Sequence, residues 1–441
     1  MFFLLAIIFV LVFFYNLNKI KFKKAPYIVK YFNIIWLVIS LILYLNHSNL
    51  YLFNISMNYL YLTILTFMVS MNCGFILFAS ISTVRRQEVP PEESGYNVDR
   101  KYLYLILIFI ACSLIIIYRE SVSMVISGNL NMIRASIYDN EVGAQGSIYR
   151  SGLEVIFSSV ILDNLIIALD IIIVSMYSKD KKNFALLLLA SVVTVLSSIL
   201  TGGRIKLLKL AIIILVSLFG INEYRLFRVD RERRDIKIKR KWDKMIVILI
   251  ILALIVFIIT FNRNLTLDTN SVFDTISRYV FSPILYYANL LDYVTPYVDP
   301  TYGGAFFGGI LRFIWLILNN FGDFSWLYQF EMIQAVETST FLEILPGQSY
   351  NAFPTMLYYF VRDGGLLAVV IDALLLSGVT RISFTNYNIR KSLRSESILL
   401  LVSYVLIFGA FRWEAVNFEP WFTIIFIIIL TSPMFREKLK G

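Results

Sequence analysis

A chain of 441 residues, 58% hydrophobic and 16% charged, with a mean hydropathy of +0.73, is too apolar for a soluble globule. The net charge of +10 does not point to nucleic acid, because the basic residues are interleaved with acids and no binding motif accompanies them. One histidine, His47, excludes a multi-histidine metal site. Cys73 and Cys112 fall inside or beside apolar runs, which leaves no disulfide framework and no thiolate metal centre.

Eleven apolar runs are long enough to cross a hydrocarbon core of ~30 Å as helices. They lie at about 2–17, 29–45, 59–81, 101–118, 155–177, 184–200, 206–220, 245–261, 364–380, 397–412 and 420–434. The fold expected is an all-α polytopic membrane protein. Residues 1–261 form a bundle of about eight spans, 262–363 a large extracytoplasmic loop with amphipathic or re-entrant helices, and 364–441 about three further spans. The first run follows Met1-Phe2-Phe3-Leu4, without a basic leader, so it is expected to remain as a span.

Alternate loops are basic: 18–28, 82–101, 178–183, 221–244, 381–396 and the tail from Phe435. With Lys30 they hold 29 of the 40 Lys and Arg residues. The positive-inside rule puts these loops in the cytoplasm, the N-terminus outside and the C-terminus inside, in the cytoplasmic (inner) membrane. Phe306–Leu318, interrupted by Arg312, then cannot cross without moving loop 381–396 outside, so a re-entrant or interfacial segment is expected there. Of the eleven remaining cations nine are arginine, a residue whose planar fork binds phosphate or carboxylate bidentately. As a group they point to an anionic ligand at the outer face.

In chain order, the first four spans read as scaffold, and His47 as a solvated residue in loop 46–58. Loop 82–101, with Pro90-Pro91, is a turn-rich linker. Loop 119–154 is a lid or a plain connector. Span five carries Asp163 and Asp170, seven residues and hence ~20° apart on one helix face. Two readings stay open for them: an ion or proton path, or structural pairing with Lys206 or Lys209. After span six, Thr201-Gly202-Gly203-Arg204 makes a tight turn at the start of span seven. Its amides, Arg204 and the helix N-terminus favour an oxyanion. Loop 221–244 is assigned to topology and anionic lipid heads.

The stretch Asn262–Asp363 is the polar centre of the chain, and loops this long are usually functional. It carries Arg278, Arg312, Asp323, Glu331, Glu337 and Glu343. Residues 271–292 are expected to form a helix on the membrane, broken at Ser282-Pro283. Near the end, Gln348-Ser349-Tyr350-Asn351 suits sugar rings and hydroxyls, and Arg362-Asp363-Gly364-Gly365 opens the next span. No metal-binding acid cluster is apparent in the outer loops.

The layout, together with Leu200-Thr201-Gly202-Gly203-Arg204, Arg278-Tyr279…Ser282-Pro283 and Asn351…Arg362-Asp363-Gly364-Gly365, resembles bacterial repeat-unit polymerases of the Wzy type, which build O-antigen or capsule. The resemblance implies a GT-C-like, metal-independent glycosyltransferase without a cofactor. Such an enzyme joins undecaprenyl-diphosphate-linked oligosaccharides, with undecaprenyl diphosphate leaving. It further implies Arg204, Arg278 and Arg362, with Gly202 and Gly203, as diphosphate contacts. Asp363, Glu343 and Glu331 are the candidate bases, and Tyr350 and Asn351 sugar contacts. A chain-length regulator and a flippase are the implied partners beside the bilayer; nucleic acid is not. An O-antigen ligase-like enzyme is the nearest alternative, disfavoured because the large loop lacks histidine. A lipid-linked oligosaccharide flippase or other transporter is the second.

Overall fold

A computed structural model describes residues 6–14, 27–45, 57–82, 98–128, 133, 136, 151–218, 247–255, 282–291, 299–327, 342–345, 348–350 and 354–435. Its helices in chain order include α1 (Tyr27–Leu45), α2 (Met57–Ser82), α3 (Arg100–Ile117), α4 (Arg119–Ile126) and α5 (Gly152–Lys179). They continue with α6 (Phe184–Leu200), α7 (Ile205–Val216), α8 (Gly308–Leu318), α9 (Met356–Arg390), α10 (Leu393–Phe408) and α11 (Glu419–Leu430). Residues 6–14, 247–255 and 282–291 are helical as well. Between α8 and α9 a two-stranded antiparallel hairpin, β1 (Leu342–Leu345) and β2 (Gln348–Tyr350), departs from the all-helical expectation. It pairs Leu342 with Tyr350 and Glu343 with Ser349.

Each of the eleven apolar runs coincides with a described helix or helical segment. Among the described residues, five helical stretches are long and apolar enough to cross a membrane: Asn58–Phe78, α3, α5, Lys181–Leu200 and α9. The way α3 is buried shows what surrounds it. Leu103, Leu107, Ile110, Leu114 and Ile117 form one buried stripe at helical spacing. Its other faces are equally apolar, yet Leu105 is 63% and Ile116 64% exposed. In water such a surface is an aggregation site, whereas in lipid it is solvated. The chain is a helical membrane protein.

Two compact units divide the chain. The first comprises Met1–Glu88, Phe273–Ile389 and Val405–Trp421; the second comprises Val89–Val272, Arg390–Tyr404 and Phe422–Gly441. In the first unit, α1 and α2 exchange two side-chain amide bonds, Asn33 to Asn72 at 3.0 Å and back at 2.9 Å. Polar pairs of this kind hold helices together where lipid supplies no hydrophobic drive. Helices α2 and α9 meet through small residues. A Cβ on Gly74 would stand 1.8 Å from Ser377 Oγ, and one on Gly378 would stand 3.1 Å from the Phe78 ring. Phe67, Phe306, Phe360 and Trp413 form an edge-packed aromatic cluster in the same unit.

Helix α8, with 11 residues, is about 16 Å long and, like α11, belongs to the shorter apolar helices. Its Gly308 and Gly309 lie directly on Val416 and the Asn417 carbonyl, and the Arg312 guanidinium sits 4.8 Å from the Phe418 ring centroid. Its outer side shows Phe313, Ile314, Leu316 and Ile317. Residues 282–291 differ from the surface helix expected. They are buried throughout, with Tyr286, Tyr287, Leu290 and Asn289 inside the unit. Their near-continuous apolar sequence explains it, and Pro283 falls in the first turn, where proline starts a helix rather than breaking one.

In the second unit, segments that the charge pattern assigns to one face are bonded together. Asp99 N–H donates to Phe435 O at 2.9 Å, and Arg100 meets Asp180 at 3.1 Å. Lys179 meets Glu396 at 3.1 Å, and Ser178 Oγ donates to the same carboxylate at 3.0 Å. Lys179 closes α5 and Glu396 opens α10, so each charge opposes the dipole of its own helix end. Arg394 donates to Thr431 and to the Ile428 carbonyl, capping the C-terminal carbonyls of α11. Four loops expected on one side are thus joined by hydrogen bonds.

The Gly74–Ser377 contact gives a paired prediction. Gly74→Ala should lower stability by about 1–3 kcal/mol through overpacking. Adding Ser377→Gly should return most of it, read as the midpoint of thermal unfolding in detergent.

Candidate functional site

Two polar sites stand out, one in each unit. In the second unit, α6 ends in a Schellman motif. Gly202 takes φ 59°, its N–H donates to Ile199 O, and Gly203 N–H donates to Ser198 O, both at 3.1 Å. Only glycine adopts that left-handed turn without strain. The turn expectation holds, but the amides of Gly202 and Gly203 are not available to a phosphate. They satisfy the last carbonyls of α6, which a buried helix end requires.

The chain enters α7 at once, with Arg204 half-buried in the N-cap position. The first intrahelical bond of α7 is Leu208 N–H to Arg204 O, so the amides of Ile205, Lys206 and Leu207 precede it. Lys206 Nζ lies 2.7 Å from Asp163 Oδ1 and 2.8 Å from Ser197 Oγ. Of the two readings for Asp163, structural pairing is what the geometry displays. Asp170, one helix face further along, accepts from Thr194 at 2.8 Å. Upstream, α5 widens into a π-helical turn at Phe157–Leu162. There Asn164 Nδ2 donates to Ser159 O and Val160 O, and Ser159 Oγ to Val155 O, drawing carbonyls out of the regular ladder. The result is a helix corner at which Arg204, the Lys206–Asp163 pair and the N-terminus of α7 lie together.

The first unit contains the other site, at a break in α9. Gly364 (φ 155°, ψ 42°) and Gly365 (φ 65°, ψ −149°) interrupt the helix. Just before the break, Asp363 gathers donors from loop 299–306: Thr301 Oγ1, and the N–H groups of Ala305 and Phe306 at 2.8 Å each. Gly303 N–H also bonds to it. The Arg362 guanidinium donates to Asp299 O at 2.9 Å, and the carbonyls of Arg362 and Asp363 accept from Thr301 N and Tyr302 N. Arg362 is 2% and Asp363 4% exposed. Both were expected at the chemistry, and both are fixed here in binding a loop to a helix end. A carboxylate with its lone pairs so occupied is a poor proton acceptor from a substrate.

Among the other residues singled out by sequence, Glu343 and Tyr350 lie on β1 and β2, one register step apart from direct pairing. Arg278, Glu331 and Asn351 lie outside the described residues. A further buried acid, not among the residues singled out from sequence, is Asp372, which is 4% exposed in α9. A lone aspartate inside the apolar run 364–380 was the available signal. Outside the membrane helices, Asp323 is held below the usual carboxylate range by the Ser325 N–H that it accepts.

The Asp163–Lys206 pair is open to a stability test. Asp163→Asn should cost about 2 kcal/mol, less than the ~3–5 of a fully buried pair because both partners keep some exposure. Asp163→Asn with Lys206→Met should cost less than the two changes summed, and denaturation of the four proteins of this cycle measures the coupling. No protein-family model, curated protein or solved structure matches the chain.

Proposed function

We propose that this chain is a repeat-unit polymerase, joining undecaprenyl-diphosphate-linked oligosaccharides into a cell-surface polysaccharide at the outer face of the cytoplasmic membrane. In this reading all eleven runs cross, the N-terminus is outside and the C-terminus inside. The observation that carries it is the corner at Arg204. Arg204 at the N-cap, the first amides of α7 and a Lys206 held by Asp163 and Ser197 share one helix start, next to a turn closed by the Schellman motif. A departing diphosphate develops negative charge, and preorganised cations and amides stabilise it without reorganising.

The roles implied by the resemblance shift accordingly. Arg204 is the leading diphosphate contact, and the role of Arg278, outside the described residues, stays as the resemblance implies. Arg362 and Asp363 shape the loop 299–306, so the base falls to Glu343 or Glu331. Tyr350 and Asn351 serve the sugar. A chain-length regulator and a flippase remain the partners of this reading.

A transporter reading is favoured by one observation of its own. A helix broken at two glycines, with the buried acids Asp363 and Asp372 on either side of the break, is the arrangement in which discontinuous spans hold substrates or coupling ions.

The deciding experiment supplies purified protein with a synthetic undecaprenyl-diphosphate repeat unit. A ladder of lengthened products is expected from the wild type. Loss of ~100-fold or more should follow Arg204→Ala, as for removal of one electrostatic stabiliser, with partial activity in Arg204→Lys. If verified substrate stays monomeric with folded wild-type protein, the polymerase reading fails, and flux of the lipid-linked substrate across vesicles tests the transporter.

A further inference from the structure

The second unit carries a set of unpartnered polar groups at one of its ends. Arg100, which opens α3, meets Asp180, just before α6 begins. These two helices pack together and have 18 and 17 residues, so their C-terminal ends lie level, about 26 Å away. At that far end Tyr118 OH and Ser158 Oγ share a hydrogen bond of 2.5 Å, which ties the start of α4 to the π-helical turn of α5. Helix α4 also packs on α6, whose last turns carry Ser197, the partner of Lys206. Arg119, the first residue of α4, has its Nε and Nη2 buried and without a hydrogen-bond partner among the described residues. These two N–H groups form one edge of the guanidinium and point the same way, the edge that takes two oxygens of an oxyanion at once. Glu120 Oε1 is 4.0 Å from Nε, too far for a hydrogen bond, and its side chain is half-exposed. Ser121 Oγ, Ser198 Oγ and Asn164 Oδ1, all on residues without exposed surface, are unpartnered at the same end. By contrast Arg100, Arg362 and Arg394 donate to Asp180, to Asp299 O and to Ile428 O and Thr431 O.

We propose that Arg119 anchors an oxyanion site at this end of the second unit, and that the site takes a phosphate group. A guanidinium with two enclosed, unpartnered donors is costly, and a phosphate satisfies both through parallel N–H···O bonds. The Arg119 side chain keeps 34% of its surface exposed, so a turn of the guanidinium brings the paired edge to an arriving anion without opening the bundle. Glu120 stands beside Nε as the competing carboxylate, whereas Asp163 is taken by Lys206. A carboxylate would fill the two N–H groups equally well. A phosphate has further oxygens for the Ser121 and Ser198 hydroxyls, which rotate to suit an acceptor, and this makes it the better fit. The phosphate belongs to a lipid-linked diphosphate, to a bilayer phospholipid or to the free ion, and the three share one chemistry. The site stands whether or not the chain polymerises.

Isothermal titration of the full chain in neutral detergent with inorganic pyrophosphate, farnesyl diphosphate and short-chain phosphatidylglycerol tests it. The wild type should bind at least one of the three, and Arg119→Gln should bind it about tenfold more weakly or worse. Arg119→Lys should lose roughly threefold, because an ammonium is a point charge without the paired edge. Glu120→Gln should bind roughly two- to threefold more tightly, since the competing carboxylate is gone. The probe bound best names the source: farnesyl diphosphate a lipid-linked diphosphate, phosphatidylglycerol the bilayer, pyrophosphate the free ion. No binding of any probe to the wild type, or an Arg119→Gln affinity equal to that of the wild type, overturns the proposal. Should Arg119→Gln fail to fold, the other two variants decide, and wild-type affinity in both removes the site. Binding is read here and not product length, so a missing ladder in the polymerase assay leaves this result untouched.

Discussion

In hydrocarbon no water is present to satisfy a carboxylate, and four acids of this chain are held by donors that other segments supply. Asp170 takes a hydroxyl from α6, Asp163 an ammonium from α7, Glu396 an ammonium and a hydroxyl from the end of α5. Asp363 takes a hydroxyl and main-chain amides from loop 299–306. These bonds do what apolar packing cannot do between lipid-solvated helices, because they fix which helix lies beside which and at what height. The small-residue contact of Gly74 with Ser377 and the Asn33–Asn72 exchange complete the same specification in the first unit.

Much of the architecture was legible because membrane insertion imposes a coarse grammar on sequence. Apolar length marks the helices, and the alternation of basic loops assigned residues near 99, 180, 394 and 435 to one face; the contacts Asp99–Phe435, Arg100–Asp180 and Arg394–Thr431 are compatible with that assignment. The pairing of Asp163 with Lys206 was one of two options left open by residue type alone. What stayed hidden is the direction in which polar groups point. The motif Gly202-Gly203 reads equally as an anion cradle or as a helix stop, and only the hydrogen bonds to Ile199 O and Ser198 O separate the two. Arg362-Asp363 has the composition of a reactive pair but serves as a clamp, since its partners lie some sixty residues away in a loop whose return path no local pattern encodes. Asp372 was overlooked because one acid hardly lowers the hydropathy of a long run, although its cost at that depth makes it the more informative residue.

The two candidate sites differ in physical character. The corner at Arg204 is cationic, rigid and built from residues close in sequence, which suits a role in which charge must be met without rearrangement. The break at Gly364-Gly365 is acidic, glycine-jointed and built from distant segments, which suits a role in which something moves. The chain keeps these two characters in separate units.

The interleaving of those units has a consequence for how the protein is made. Helix α2 enters the membrane early, but Ser377, which fills the notch at Gly74, is synthesised roughly 300 residues later. At a translation rate of ~5–20 residues per second this delay is on the order of 15–60 s. Throughout it, the first segment of the first unit waits in the bilayer with its α9-facing surface uncovered. The Asn33–Asn72 exchange needs only α1 and α2, so it closes during that interval and satisfies the buried Asn72 amide that lipid would penalise. The early hairpin is thus a parking state, stable enough to wait and incomplete enough to be recognised by the later helices when they arrive.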